Sequence, residues 1–207
     1  NIRTQTNLIT GYADLAKTGD LEDNISRIKS SAEQIERFST KTREILSVFD
    51  REYASPNPAQ LSTVIDTAIE RTRAQYPSIA VEMEPIPGDV YVDDSLKTVF
   101  EQILSNAAEH VETAEPTVAI ATDTDGTEIS IEFTDNGPGI SSYEQRVLEQ
   151  GEENPLEHGS GLGLWLIKWG TEVVGGEIEL RNTDRGATVQ VDVPRLSTAE
   201  QSVATPE

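Results

Sequence analysis

Residues 128–140 read Glu128-Ile129-Ser130-Ile131-Glu132-Phe133-Thr134-Asp135-Asn136-Gly137-Pro138-Gly139-Ile140. The first eight alternate polar and apolar, which is the period of a half-buried strand, and the run ends on a carboxylate closely followed by two glycines. A carboxylate acceptor at a strand end, beside glycines that admit a close backbone approach, suits a flat ligand with an exocyclic amine. Turn chemistry alone accounts for the same letters. Residues 117–124 alternate in the same way, and Asp125-Gly126 between the two runs is a hairpin signal.

Working outward, Gly159-Ser160-Gly161-Leu162-Gly163-Leu164 leads into a helix predicted over about 162–174, with Trp165, Ile167 and Val173 inside it. Glycines at a helix start expose unpaired N–H groups at the positive end of the helix dipole, a ready anion site; a simple hinge needs the same residues. The spacing is neither G-x-x-x-x-G-K-[ST] nor G-x-G-x-x-G, since Leu164 stands where the last glycine belongs, and protein-kinase signatures are missing. On the other side, a helix is predicted over 95–110, with Leu96, Val99, Phe100, Ile103, Leu104 and Ala107 on its apolar side. Asn106 shares a face there with Glu109 and His110, three and four residues on. An Asn in that place can donate to a phosphate, offer a neutral oxygen to Mg²⁺, or simply be satisfied locally.

The remaining pattern completes two units. Residues 61–75 read as a helix, 80–83 and 90–92 as short strands, and 177–181 and 187–193 as alternating strands, giving an α/β sandwich over 61–196. Before it lie a helix over 1–17, a break at Thr18-Gly19-Asp20, and a long helix over about 22–53. Its residues Ile25, Ile28, Ala32, Ile35, Phe38, Thr42, Ile45 and Phe49 recur in alternating steps of three and four, which is coiled-coil spacing. So long a stripe exceeds what the shorter helix can cover, so residues 1–53 are expected to form a dimeric four-helix bundle rather than an intramolecular arm. Residues 54–60, with two prolines, read as the linker, and 197–207 as a disordered tail. The fold class is thus α+β, a helical hairpin followed by an α/β sandwich.

Composition narrows the partners. The 207 residues carry 16 Lys and Arg against 37 Asp and Glu, a formal charge of −21 that disfavours binding to nucleic acid or an anionic membrane. Cysteine is absent, which excludes disulfides, thiolate metal sites and cysteine nucleophiles. No apolar run approaches a membrane span and no signal peptide is visible, so a cytoplasmic location is expected, for a fragment that begins at Asn1 without a Met. Only five cations are Lys, and this acidic, Lys-poor surface resembles those of salt-loving cytoplasms, making a halophilic archaeon the expected source.

Taken in order, Asn106 on its helix, Asp135-x-Gly137-x-Gly139 after its strand and the glycines at 159, 161 and 163 resemble the N, G1 and G2 boxes of the GHKL (Bergerat) superfamily of ATP-binding domains. Sensor histidine kinases are the nearest likeness. It spans about 61–196, and Gly186-Ala187-Thr188 fits the family's last Gly-Thr element. The resemblance implies ATP and Mg²⁺ as cofactors. Asn106 would hold Mg²⁺, with Glu109 and His110 beside it at the nucleotide, and Asp135 would bind the adenine amino group. Gly137, Gly139 and Ile140 would frame the base, and Gly159, Ser160, Gly161, Leu162, Gly163 and Leu164 would hold the phosphates. Thr188 would assist at adenine. A lid over 141–158 would carry Glu152, Glu153, Glu157 and His158.

The hairpin adds to the likeness. Asn1-Ile2-Arg3-Thr4 is similar to the stretch that follows the phosphoacceptor histidine in this family, which places the acceptor one residue before Asn1. The usual acidic residue is Asn1 here, the usual proline is missing because Gln5 follows Thr4, and Thr4 would position water for phosphatase activity. The resemblance implies a homodimer through 1–53 and transfer onward to an aspartate of a response-regulator receiver domain. Hydrolytic members of the superfamily place a Glu one turn before the Mg²⁺-binding Asn. That position is Gln102, about 40° from Asn106 around the helix, while Glu101 lies about 140° away, so phosphoryl transfer is favoured over hydrolysis. A nucleotide-gated interaction protein and an ATPase of the same superfamily are the alternatives.

Overall fold

The computed structural model describes residues 2–16, 21–49, 55–86, 88–110, 115–124, 126–141 and 161–197. The tail, the expected lid, Gly159 and Ser160 therefore lie outside the described residues. Helix α1 (Ile2–Leu15) and helix α2 (Leu21–Phe49) form the hairpin. They are followed by β1 (Pro58–Gln60), α3 (Leu61–Gln75), β2 (Ala80–Met83), β3 (Tyr91–Asp93) and α4 (Leu96–His110). Then come β4 (Thr117–Thr124), β5 (Glu128–Asp135), the helix here numbered α5 (Gly161–Val173), β6 (Glu177–Asn182) and β7 (Ala187–Pro194).

The main sheet has the order β2-β4-β5-β7-β6. β2 runs parallel to β4 and the other neighbours are antiparallel. The alternation of β5 sends Ile129, Ile131 and Phe133 into the core and leaves Ser130, Glu132 and Thr134 only half-buried on the other face. Helices α3 and α4 supply the second layer. Leu61, Val64, Ile65, Ala68 and Ile69 from the first, and Leu96, Val99, Phe100, Ile103 and Leu104 from the second, join those strand residues in one buried cluster. Thr72, buried among them, gives its hydroxyl hydrogen to the Ala68 carbonyl at 2.9 Å.

One expected boundary is corrected. Residues 58–60, the end of the proline-bearing stretch 54–60 expected as linker, form β1, which pairs with β3 in a separate two-stranded sheet. Pro58 is the strand's first residue, a position where its missing N–H costs no ladder bond. The linker is also fastened just before it, since the Asn57 N–H donates to Asp93 at 2.8 Å and the Asp94 N–H to the Asn57 carbonyl at 2.9 Å.

In the hairpin, the buried residues among the described side chains of α2 are Asn24 and Ser31, whereas Ile25 is 53% exposed and Ile28 and Ile35 are half-buried. Over Ile25 to Ile35, the described part of the expected apolar stripe, burial is thus confined to one edge. Arg27 bonds Asp23 at 2.8 Å and lies 5.5 Å from the Tyr12 ring centroid, tying the two helices together at the surface. α2 also packs against α5, where Leu166, Trp169 and Val173 form a second apolar cluster.

Phe100 and Phe133, at 0% and 2% exposure with ring centroids 5.2 Å apart, join the helical layer to the sheet. Phe100→Ala is expected to lower stability by about 3–5 kcal/mol in urea titration, with the denaturant slope unchanged.

Candidate active site

Topology brings the three motif segments to one end of the sandwich. α4 ends at His110 and β4 begins at Thr117, so the last turns of α4 lie beside the start of β4, and that start pairs with the end of β5, Val118 opposite Asp135. Asp135 is half-buried there. One of its oxygens, Oδ1, accepts the N–H groups of Gly137 at 2.8 Å and Ala187 at 2.9 Å. Its other oxygen, Oδ2, has no hydrogen-bond partner among the described residues and stays available as a charged acceptor.

The chain beyond Asp135 is held by side-chain amides. Asn136 Oδ1 accepts from the Thr117 N–H at 2.9 Å, and its Nδ2 donates to the Glu115 carbonyl at 3.1 Å, which anchors the turn to the start of β4. Gly139 has φ +86°. The backbone angle favours glycine, and a Cβ there would stand 2.8 Å from Asn182 Oδ1 and displace that side chain. Thr188 is buried and shares a 2.9 Å hydrogen bond with Thr134, one residue before Asp135.

On α4, Asn106 is half-buried and its Oδ1 accepts from Nε2 of the buried Gln102 at 2.6 Å. Gly163, near the start of α5, packs on this pair. A Cβ at Gly163 would lie 2.9 Å from Gln102 Nε2 and 3.1 Å from Asn106 Oδ1. The glycine lets the N-terminus of α5 approach Asn106, and the same helix end presents unpaired N–H groups suited to an anion. Leu164 behind it is buried in the core.

Glu109 does not join this group. Its carboxylate accepts the Tyr76 hydroxyl at 2.5 Å and lines a cavity of about 310 Å³ against α2, together with Glu33, Glu36 and Gln102. Glu101, the neighbour of Gln102, lines the same cavity and pairs with Arg71 at 3.3 Å. His110 and Thr4 lie on α4 and α1, Gly161 and Leu162 open α5, and Ile140 closes the loop. Among the described residues no group of three or more His, Asp or Glu side chains is placed to hold a metal ion. The bonds made by Gln102, Asn136 and Asn182 were not read from the sequence. Only the helical spacing of Gln102 and Asn106 signalled any of them.

Residues 91–197 match the model of the histidine kinase-, DNA gyrase B- and HSP90-like ATPases. The chain belongs to this family. The matched stretch runs from β3 past the end of β7, and all the residues just described except Tyr76, Glu33, Glu36, Arg71 and Thr4 fall within it. The chain is 26% identical over 200 residues to the C4-dicarboxylate transport sensor protein DctB of Rhizobium meliloti, covering 90% of this chain and 32% of that protein. It is 29% identical over 160 residues to the signal transduction histidine-protein kinase/phosphatase MprB of Mycobacterium tuberculosis, covering 74% and 32%. The chain thus spans about a third of the length of these relatives. The fold of the histidine kinase AdeS of Acinetobacter baumannii is shared with a TM-score of 0.67 at 16% identity, over 94% of this chain and 97% of that one, hairpin included. The halophilic archaeal source expected from composition finds no support in these relatives.

Gly186 tests the Asp135 clamp directly. A Cβ there would meet the Asp135 carbonyl oxygen, with Asp135 Oδ1 at 2.5 Å and the Gly137 nitrogen at 2.8 Å, whereas one at Gly88, also with positive φ, meets nothing within 4 Å. Gly88→Ala is expected to cost about 1 kcal/mol of stability, and Gly186→Ala at least about 2 kcal/mol more, both read from urea midpoints.

Proposed function

We propose that this chain is the catalytic region of a two-component sensor histidine kinase, which transfers the γ-phosphoryl group of ATP to a histidine and then to a receiver aspartate. The observation that carries the reading is the convergence of a bound but half-available carboxylate, Asp135, and an amide, Asn106, with a glycine-led helix start at one end of a family-typical sandwich. The free Asp135 oxygen accepts the adenine amino group, while Gly137, Gly139 and Ile140 border the base. Gly159, Ser160, Gly161, Leu162, Gly163 and Leu164 hold the phosphates at the positive end of α5. Thr188 serves the base indirectly by steadying Thr134 and the strand end.

A single amide oxygen fits Mg²⁺, which takes few protein ligands and fills its shell with phosphate oxygens and water. Asn106 Oδ1 would hold it. Gln102 occupies one lone pair of that oxygen at 2.6 Å and the second remains for the cation, which when bound would neutralise phosphate charge. The same Gln102 supports transfer over hydrolysis. It is buried and neutral where a water-activating carboxylate would stand, and Glu101 is committed to Arg71.

The hairpin supplies acceptor and dimer in this reading. Leu8, Leu15, Leu21 and Ile25 are between 40% and 57% exposed, and a second copy packing through 1–53 would cover them. Thr4 would position water for the reverse, phosphatase reaction. The receiver domain would dock on the hairpin near Thr4 to Tyr12, and no nucleic acid or membrane contact is required of these residues.

The test uses a protein that includes the residue before Asn1, incubated with γ-labelled Mg²⁺-ATP in concentrated KCl. The expected product is label lost in acid and kept in base, reduced at least about tenfold by Asn106→Ala and by Asp135→Ala, as the loss of a charge-assisted contact implies. Nucleotide binding without label would favour the nucleotide-gated interaction protein, and steady phosphate release would favour the ATPase. In the same protein Ile25→Glu is expected to shift the sedimentation mass toward the monomer.

A further inference from the structure

The tip of the β6–β7 hairpin, residues 182–187, grips the Asp135–Ile140 loop at both of its ends. At the near end the Ala187 N–H donates to Asp135. At the far end Asn182, the last residue of β6, makes two bonds to a single residue: its Oδ1 accepts the Ile140 N–H at 2.7 Å and its Nδ2 donates to the Ile140 carbonyl at 2.9 Å. The orientation of this amide is fixed by its partners, because a backbone N–H only donates and a carbonyl only accepts. The side chain thus pairs with Ile140 as a neighbouring strand would. The turn that bears it is itself closed, with the Thr183 N–H on the Gly186 carbonyl at 2.8 Å and the Thr183 hydroxyl on the same oxygen at 3.2 Å.

Between the two grips lie Asn136, which is anchored to Thr117 and Glu115, and then Gly137, Pro138 and Gly139. The two glycines loosen this stretch, which would lose conformational entropy each time it closed on a ligand. Gly139 is held at φ +86° directly beneath Asn182 Oδ1. The side-chain amide of the exposed Asn182 makes no hydrogen bond other than these two among the described residues, so it serves this loop.

We propose that Asn182 is a positioning residue for the nucleotide base: it clamps Ile140 so that the glycine segment stands ready before ligand arrives. The clamp rests on the adenine reading of Asp135 given above, and it adds a residue from a different strand, 42 positions away, that never touches the base itself. Ordering the segment in advance shifts its entropic cost out of binding and into folding.

The experiment compares Asn182→Ala, Asn182→Asp and Asp135→Ala with the parent chain. Affinity for ADP is read from the fluorescence of Trp165 and Trp169, the two tryptophans of the sequence, which stack at 4.5 Å on α5. Amide exchange at Ile140 is read by NMR without nucleotide. Asn182→Ala is expected to weaken ADP about five- to tenfold, to remove exchange protection at Ile140, and to leave the melting temperature within about 2 °C, as suits an exposed side chain. Asn182→Asp keeps the acceptor, so it should keep protection at Ile140 and recover part of the affinity. ADP binding by the parent that Asp135→Ala abolishes and Asn182→Ala leaves unchanged overturns the clamp alone. Unchanged protection at Ile140 in Asn182→Ala overturns it as well. A parent chain that binds no ADP brings down the adenine reading, and the clamp with it.

Discussion

One carboxylate oxygen organises the site. Asp135 Oδ1 takes two N–H groups, one from two residues ahead and one from 52 residues ahead, and so welds the end of β5 to the start of β7. The weld dictates Gly186, since any side chain there would strike Asp135. It also separates the two oxygens by task, one spent on structure and one left as an acceptor. A carboxylate bound on one side cannot rotate away, so the free oxygen keeps a fixed direction, the condition for recognising an amine rather than merely attracting a cation.

A second constraint meets the first from the helical side. Gly163 lies against the amides of Gln102 and Asn106 at distances a methyl group would violate. Gly163 therefore serves the α4–α5 packing, apart from anything it does for phosphate. Gln102 has a similar double character. Its hydrogen bond fixes the Asn106 amide, and its neutrality removes the base that hydrolysis would need. Replacing it by Glu would set a second acceptor against Asn106 Oδ1, so Asn106 would have to turn its amide; a change of reaction at this position carries a change of geometry with it.

Much of the sandwich was legible because its signals are local. Strand β5 begins at Glu128 and ends at Asp135, where the alternation begins and ends, and α3 spans the stretch marked by Leu61, Val64, Ile65, Ala68 and Ile69. The unread parts depend on partners distant in sequence. β1 is three residues long and opens on a proline, so nothing but its pairing with β3 makes it a strand. Asn182 reads as a polar strand end until Ile140 is brought beside it. Asn136 stood inside the motif, yet its bonds to residues 115 and 117 are set by the β4–β5 register and not by the motif's letters. Asn106, Asp135 and the glycines are candidates that the motifs offer, whereas the bonds that hold Asn106 and Asp135 come from Gln102 and from the Ala187 N–H, outside the motifs.

The hairpin shows the limit of a stripe as a guide to packing. Ile25, Ile28, Ala32 and Ile35 lie within about 80° of one another around α2 at 100° per residue, with Asn24 and Ser31 along one edge. α1 settles on that edge, burying Asn24 and Ser31 and leaving Ile25 and Ala32 exposed. An intramolecular arm that had finished its own core would do the reverse, covering the isoleucines and leaving the polar residues to water. A chain with a formal charge of −21 already resists association, so an uncovered apolar edge on it costs hydration without protecting solubility. In the proposed dimer, charge repulsion between copies falls with salt while apolar burial does not, so association through this face should strengthen as ionic strength rises, the opposite of a contact held by surface ion pairs.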